Sequence, residues 1–455
     1  MKKTISLILI TAFLLLICSC GISNQTGRSA EAQASGSANQ NPASAGSEED
    51  TGKTETENTE PETNTQPENN RQEYDTSTKH GSATLKNGDI LTGGTYTATD
   101  EDKSVLEASG SVKATVIGSV LVKESGDASS ANDSSFKGVN AGVRVYGNAE
   151  VTLKDCTIEA NAKNATGVFA YGNGVIYISD STVTVTGGGA GGVQVAGGGS
   201  LYGTNLTVTT ASKAAIRSDR GGGTMVINGG TYTSIGTDGC PVIYSTADIT
   251  VKNAVGESVN SRAVIIEGKN SVTLENVTLT GNDQSSKSGS VRANVLLYQS
   301  ASGDAAEGTS EFKMTGGKLI SKNGAMFYCT NTSGIINLSD AELVFPDDGT
   351  LLIVSAGRWG KDGKNGGRCT FNATDQTLEG KVTVDGISTL SLNLVNSSFV
   401  GSILGEGTVN VTLDAESTWT LTGDSYVTSF SGDASNVISS GCTLYVNGTA
   451  LNGTK

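Results

Sequence analysis

Three stretches, TLKDCTIEA (152–160), YISDSTVTV (177–185) and YGTNLTVTT (202–210), share one shape: alternating apolar residues, a polar interruption, then alternation again. Strand residues such as Tyr177, Val183 and Val185 flank Asp180 and Ser181, which are poor strand formers. The interruption recurs. Asp155, Asp180, Asn205, Gly229, Asn253 and Asn276 follow one another at steps of 25, 25, 24, 24 and 23 residues, and Asp340 continues the row beyond an intermediate unit at GGKLIS (316–321). Asn, Asp and Gly enter the left-handed backbone region at least cost, and there a chain bends sharply between two strands. A third short strand precedes each pair, as in GVRVYG (142–147), GVFAYG (167–172), GVQVAG (192–197) and AVIIEG (263–268). Three strands in one repeat cannot enclose an apolar face singly, but stacked repeats can. The pattern predicts an all-β chain wound as a right-handed parallel β-helix, a solenoid whose coils lie about 4.8 Å apart.

Composition agrees with that fold. The 455 residues include 60 Gly but only 5 Pro and 9 Phe, a balance that favours a Gly-punctuated β chain over a helix-rich enzyme. The net charge of −15 argues against nucleic acid as a partner. The chain opens with Lys2 and Lys3 and the apolar run Ile5 to Ile17, too short for an ordinary membrane span, which is the pattern of an export signal. From Gly21 to His80 the chain is polar, acid-rich and aperiodic, and holds three of the prolines. Such a segment is expected to be disordered and to act as a spacer. The expected organisation is a signal peptide at 1–19, a disordered acidic Ser/Thr/Asn/Glu-rich tether at 20–80, and a parallel β-helix at 81–455.

Two resemblances refine this reading. ICSCG (17–21) resembles the lipobox of bacterial lipoproteins, with Cys20 as the residue that would be lipidated and anchor the chain in the lipid bilayer. That resemblance implies a lipid-anchored protein on the extracytoplasmic face of the cell membrane or at the cell surface. GGTYTA (93–98) and GGTYTS (229–234) mark two separate coils, and the chain ends in STWTLTGDSYVTSF (417–430) and CTLYVNGTAL (442–451). Roughly from residue 82 to the end it resembles the pectate-lyase-like right-handed β-helix superfamily, and its closing coils are similar to those of adhesin-like bacterial surface proteins. The resemblance implies the fold, and with it a choice among lyases, hydrolases, adhesins and inert spacers.

Residue chemistry narrows that choice. The one histidine, His80, lies at the tether boundary, so a Ser-His-Asp triad or a multi-histidine metal site inside the domain is excluded. Glycoside hydrolysis needs two acids flanking the bond, and Asp347-Asp348, the one Asp-Asp dipeptide in the chain, is read as a solvated turn. A lyase needs a basic residue beside a carboxylate neutralised by calcium; Arg144 and Arg217 share a column without an acid cluster, so calcium enters only with that alternative. No other cofactor or metal is expected. The five cysteines after Cys20 show no short C-x-x-C pairing, and most of them read as buried small apolar residues. Arg220 is expected to pair with its neighbour Asp219 at the surface, and Trp419 to lie in the core.

Two candidate binding surfaces remain. Alternation turns Val143, Val168 and Val193 one way and Arg144, Phe169 and Gln194 the other, so these three and Arg217 are expected to form an outward ladder able to hold a sugar face. The segment SAGRWGKDGKNGGR (355–368) gathers Arg358, Lys361, Lys364 and Arg368 around Trp359 in an otherwise acidic chain, a combination suited to an anionic glycan or wall polymer. The functional expectation is a cell-envelope-anchored, non-catalytic β-helix for binding or adhesion, with extracellular or cell-wall polysaccharide as the target. The alternatives are a polysaccharide lyase acting on acidic glycans and a purely structural stalk.

Overall fold

The structure, a computed structural model, describes residues 72–346 and 349–455. The export signal, Cys20, the chain to residue 71, and the pair Asp347 and Asp348 lie outside the described residues.

Every corner marker takes the left-handed conformation. Asp155 has φ +54°, Asp180 +51°, Asn205 +52°, Gly229 +74°, Asn253 +51°, Asn276 +54° and Asp340 +52°. Gly316 (+62°), Asp375 (+52°) and Asn396 (+45°) extend the row. The strands on either side pair residue for residue, Lys154 with Ser179 and Thr204 before the corner and Thr157 with Thr182 and Thr207 after it. The corners therefore lie one over another. Their amides are satisfied by the next coil, Asp155 N donating to Ser179 O at 3.2 Å and Asp180 N to Thr204 O at 3.0 Å. Asn205 Nδ2 also donates to Asp180 Oδ1 at 3.0 Å, so the side chains that permit the bend also bind neighbouring coils.

One coil is represented by Glu150–Lys154, Thr157–Ala160 and Val168–Tyr171, and the next by Val175–Ser179, Thr182–Val185 and Val193–Ala196. These strands belong to the first, second and third ladders of a right-handed parallel β-helix. Strands of the described chain pair in parallel except in the closing hairpin, where Leu444–Val446 meets Thr449–Ala450. Inward residues form unbroken columns: Val151, Ile176, Leu201, Met225, Ile249 and Val272 on the first ladder, and Val143, Val168, Val193 and Ile216 on the third. All are buried. Each such side chain contributes about 1.5–3 kcal/mol relative to exposure. Phe327 joins Phe312 and Phe371 at ring distances of 5.8 and 5.6 Å, and Trp419, as expected a core residue, donates from Nε1 to Gly401 O at 3.0 Å.

Outside the core, ladder position selects polar residues that bond laterally. Asn372 Nδ2 donates to Asn337 Oδ1 at 2.8 Å and Asn393 Nδ2 to Asn372 Oδ1 at 2.9 Å, so stacked amides extend the backbone ladder by one further bond per coil. The threonine row Thr157, Thr182, Thr207 and Thr231 is broken by Val255 before it resumes at Thr278.

The start of the unit lies earlier than composition suggests. The compact unit runs from Glu73 to Lys455, so residues 73–80, assigned to the tether by their polarity, belong to it. Tyr74 Oη donates to Asp155 Oδ2 at 3.1 Å, Asp75 O accepts from Gly94 N at 2.7 Å, and Lys79–Gly81 pairs with Thr95–Thr97. His80, placed by the sequence at the tether boundary, is exposed but stacks on Tyr96 at 4.6 Å.

If left-handed corners define the coil, a β-branched residue there is costly. Asn205 is exposed, so Asn205→Val tests backbone strain and the lost amide bond without disturbing the core. Denaturant unfolding is expected to show a loss of about 1–2 kcal/mol, against less than about 1 kcal/mol for Asn205→Gly. Equal losses would remove the corner conformation as the cause.

Candidate functional site

Arg144, Phe169, Gln194 and Arg217 do occupy successive outward positions of the third ladder, and Tyr244 follows. The face they share is nonetheless closed, which corrects the expectation of an open ladder. Phe169 is 0% exposed, Gln194 1% and Arg217 9%; of the four, Arg144 alone is more than marginally accessible. The cover is a short helix, α1 (Ala131–Lys137), inserted before the third strand of an early coil. Ser130 caps it by accepting from Asp133 N, and Gly138 ends it at φ +69°. A β-carbon at Gly138 would lie 2.4 Å from the Phe169 ring, so this glycine lets the helix settle onto the aromatic. Ser135 fixes the other side, its carbonyl accepting from Gln194 Nε2 at 2.9 Å and its hydroxyl from Lys213 Nζ at 2.8 Å.

Beneath this cover the charged groups bond to one another. Arg217 Nε and Nη2 donate to Asp219 at 2.7 and 2.9 Å, Gln194 Nε2 donates to the same carboxylate at 2.7 Å, and the guanidinium lies 4.4 Å over the Tyr244 ring. Burial pulls the Arg217 pKa down, but the charge and hydrogen bonds of Asp219 outweigh it and hold the group above its ordinary value. Asp219 therefore pairs with Arg217, not with Arg220 as its sequence position suggested. Arg220 reaches Asp304 at 2.6 Å and lies over Phe136 at 4.4 Å. Further along, buried Glu267 accepts from Tyr244 Oη at 2.5 Å, from Tyr298 Oη at 2.8 Å and from Ser300 Oγ. Burial, with the neighbouring carboxylate, raises both tyrosine hydroxyls well above their usual range, so they remain donors. This hydroxyl shell satisfies the carboxylate where no cation is paired with it. Sequence reading did not single out Glu267, Tyr244 or Tyr298; their outward positions in third strands were the available signal.

The segment 355–368 is different. Its roots are held: Ala356 N donates to Asp385 Oδ2 at 2.7 Å, Tyr328 Oη to Ala356 O at 3.2 Å, and Asn365 Nδ2 to Gly357 O and Trp359 O at 2.8 and 3.0 Å. Trp359 folds back, half-buried, onto a satellite cluster that includes Ile265, Leu296, Tyr298 and Tyr328, with its ring 5.6 Å from that of Tyr298. The Arg358 guanidinium covers it at 4.4 Å. Arg358, Lys361, Lys364 and Arg368 are exposed, and none forms an ion pair with a described carboxylate. Arg368 Nε donates to Ser333 Oγ at 3.1 Å, which orients it along the coil.

The two candidate surfaces are not one site. Arg144 pairs with Glu107 at 3.3 Å, donates to Lys137 O at 2.9 Å and covers Tyr146 at 4.3 Å. Eight ladder steps separate it from Ile353, at the foot of the basic loop, or roughly 38 Å at the usual strand spacing. Among the described residues no group of three or more His, Cys, Asp or Glu is placed to hold a metal ion, and no helix is long and apolar enough to cross a membrane. No protein-family model matches the chain, and no curated protein matches it.

The contrast between the surfaces is measurable. Arg217→Ala would strand Asp219 without its cation under α1 and is expected to cost about 3–5 kcal/mol in denaturant unfolding. Lys361→Ala, which removes an exposed cation with no ion pair among the described residues, is expected to stay within about 0.5 kcal/mol of wild type. A near-neutral Arg217→Ala would return that residue to the list of candidate ligand contacts.

Proposed function

We propose that this β-helix is a non-catalytic binding or adhesion protein, anchored through Cys20 on the outer side of the cytoplasmic membrane, that engages anionic carbohydrate through the loop at 355–368. The observation that carries the reading is the set of four cations around Trp359 that pair with no carboxylate among the described residues, on a loop whose roots are hydrogen-bonded to the coil, in a chain of net charge −15. Elsewhere on the described surface many cations are neutralised, as at Lys113–Glu150, Lys252–Glu275, Lys318–Glu342 and Lys322–Glu257. Guanidinium and ammonium groups pair with uronate or sulfate oxygens, and the accessible part of the tryptophan offers a sugar an apolar contact. The likeness of the coil pattern to the pectate-lyase-like superfamily, and of its end to adhesin-like surface proteins, is consistent with a glycan partner.

The full chain is to be tested on an array of neutral, uronate-bearing and sulfated glycans. Retention is expected on anionic glycans, falling as salt rises, and is expected to be lost in Lys361→Glu/Lys364→Glu. Trp359→Ala is expected to weaken it by about 1–2 kcal/mol. Absence of retention on any anionic glycan would overturn the reading. Sustained release of unsaturated, ultraviolet-absorbing products from polygalacturonate, alginate or glycosaminoglycans in the presence of calcium would replace it with the lyase alternative.

A further inference from the structure

Cys329 and Cys369 stand on the two sides of the basic loop. Cys329 belongs to the third-ladder strand Ala325–Thr330 before it, and Cys369 to the first-ladder strand Arg368–Thr374 directly after it. Both are core residues, 0% and 3% exposed. Cys369 is the lateral partner of Gly334 in the adjacent coil, and a β-carbon at Gly334 would lie 2.8 Å from Cys329 Sγ. The Cys329 sulfur thus fills the space that a side chain at Gly334 would take, one ladder step from the β-carbon of Cys369. The Cys329 carbonyl meets both roots of the loop as well: it accepts from Ser355 N at 3.2 Å, and a β-carbon at Gly367 would lie 2.4 Å from it.

We propose that Cys329 and Cys369 are a modification site, oxidised to a core disulfide that clamps both ends of the loop at 355–368. In the structure both are thiols. Oxidation proceeds by exchange with a small-molecule disulfide. One cysteine thiolate, having lost its proton to solvent, attacks a donor sulfur and releases one donor thiolate, which takes up a proton. The second cysteine, deprotonated in turn, attacks the protein-side sulfur of the mixed disulfide and releases the other. Two cysteine S–H bonds are replaced by one S–S bond, and one donor disulfide is reduced to two thiols. Both sulfurs are buried in the core, so the closed protein gives an external disulfide little access to either, and the Cys329 sulfur beside it, together with burial, raises the Cys369 thiol well above its usual range. The bond therefore forms while these coils are still open during folding. Its consequence for glycan capture rests on the binding reading above; its formation does not.

The full chain is to be refolded from denaturant in a buffer of oxidised and reduced glutathione, alkylated in denaturant, then reduced, alkylated with a second reagent and mapped by mass spectrometry. Cys329 and Cys369 are expected to carry only the second label, and the non-reduced digest to contain their two peptides joined and lighter by two hydrogen atoms. Cys156, Cys240 and Cys442 are expected to carry the first label. In Cys329→Ala, Cys369 is expected to take the first label, which ties its protection to this partner. First label on both cysteines of the wild-type chain, or Cys369 joined to another cysteine, would overturn the proposal. The same oxidised sample applied to the glycan array separates the two ideas, because a clamped loop without glycan retention removes the binding reading and leaves the disulfide standing.

Discussion

In-register stacking of one coil on the next is the constraint from which the rest of this structure follows. A parallel ladder allows no slip, because a shift of one residue would turn every inward valine or leucine to solvent. The repeat between corners is therefore held near two dozen residues, and extra chain must leave the column where a strand has ended. It does so mainly on either side of the third ladder: at 124–142 with α1, at 282–292, at 299–308 and at 355–367. Insertions that leave beside one ladder fold back over it. The third ladder thus acquires a second layer, while the first and second keep faces of Thr, Asn and Lys residues open to solvent.

That second layer explains why polar residues on one face meet different fates. Under the inserted segments the groups are desolvated, so each charge needs a partner within bonding distance: Arg217 pairs with Asp219 beside α1, and Arg262 pairs with Asp283 of the insertion at 282–292. Glu267 instead gathers hydroxyl donors from Tyr244, Tyr298 and Ser300. Once committed in this way, these groups hold inserted chain to the column and are not presented to a ligand. The cations at 358–368 sit on the outside of the last large insertion, where water solvates them and no partner is required. Position relative to the covering layer, more than residue type, divides structural from available charge.

The corners and columns were legible in the sequence because both are local. A left-handed φ selects Asn, Asp or Gly at a single position, and strand alternation declares which side chains point in. Direction was legible for Arg144, Phe169, Gln194 and Arg217 too, but exposure was not, because exposure depends on an aperiodic segment that packs over them. Part of that segment carries a signal: Ser130, Asp133 and Gly138 have the spacing of a capped short helix. The partner of Arg220 carried none, since Asp304 is 84 residues away and reaches it only through a loop insertion. The adjacent Asp219 is already taken by Arg217, which lies on the same outward face two residues earlier, where strand geometry places i and i+2 side by side.

The basic loop was legible as composition, while its stiffness was not. A Gly-rich segment suggests a mobile arm, yet Asn365 ties two carbonyls of the loop to its far root, Asp385 holds its entry, and Trp359 is seated on Tyr298 with Arg358 above it. Ordering achieved in the free protein need not be repeated on binding, and each rotamer-rich side chain already held spares about 0.5–1.5 kcal/mol. Local placement matters also for the sign of the field. At physiological salt the screening length is about 8 Å, so the chain's overall negative charge is felt weakly by a ligand at the loop, whereas cations within one loop act on it together. An acidic solenoid can in this way attract an anion at one point while its remaining surface repels it, and the orientation of a polymer held as proposed would be set by the column on which the loop is mounted.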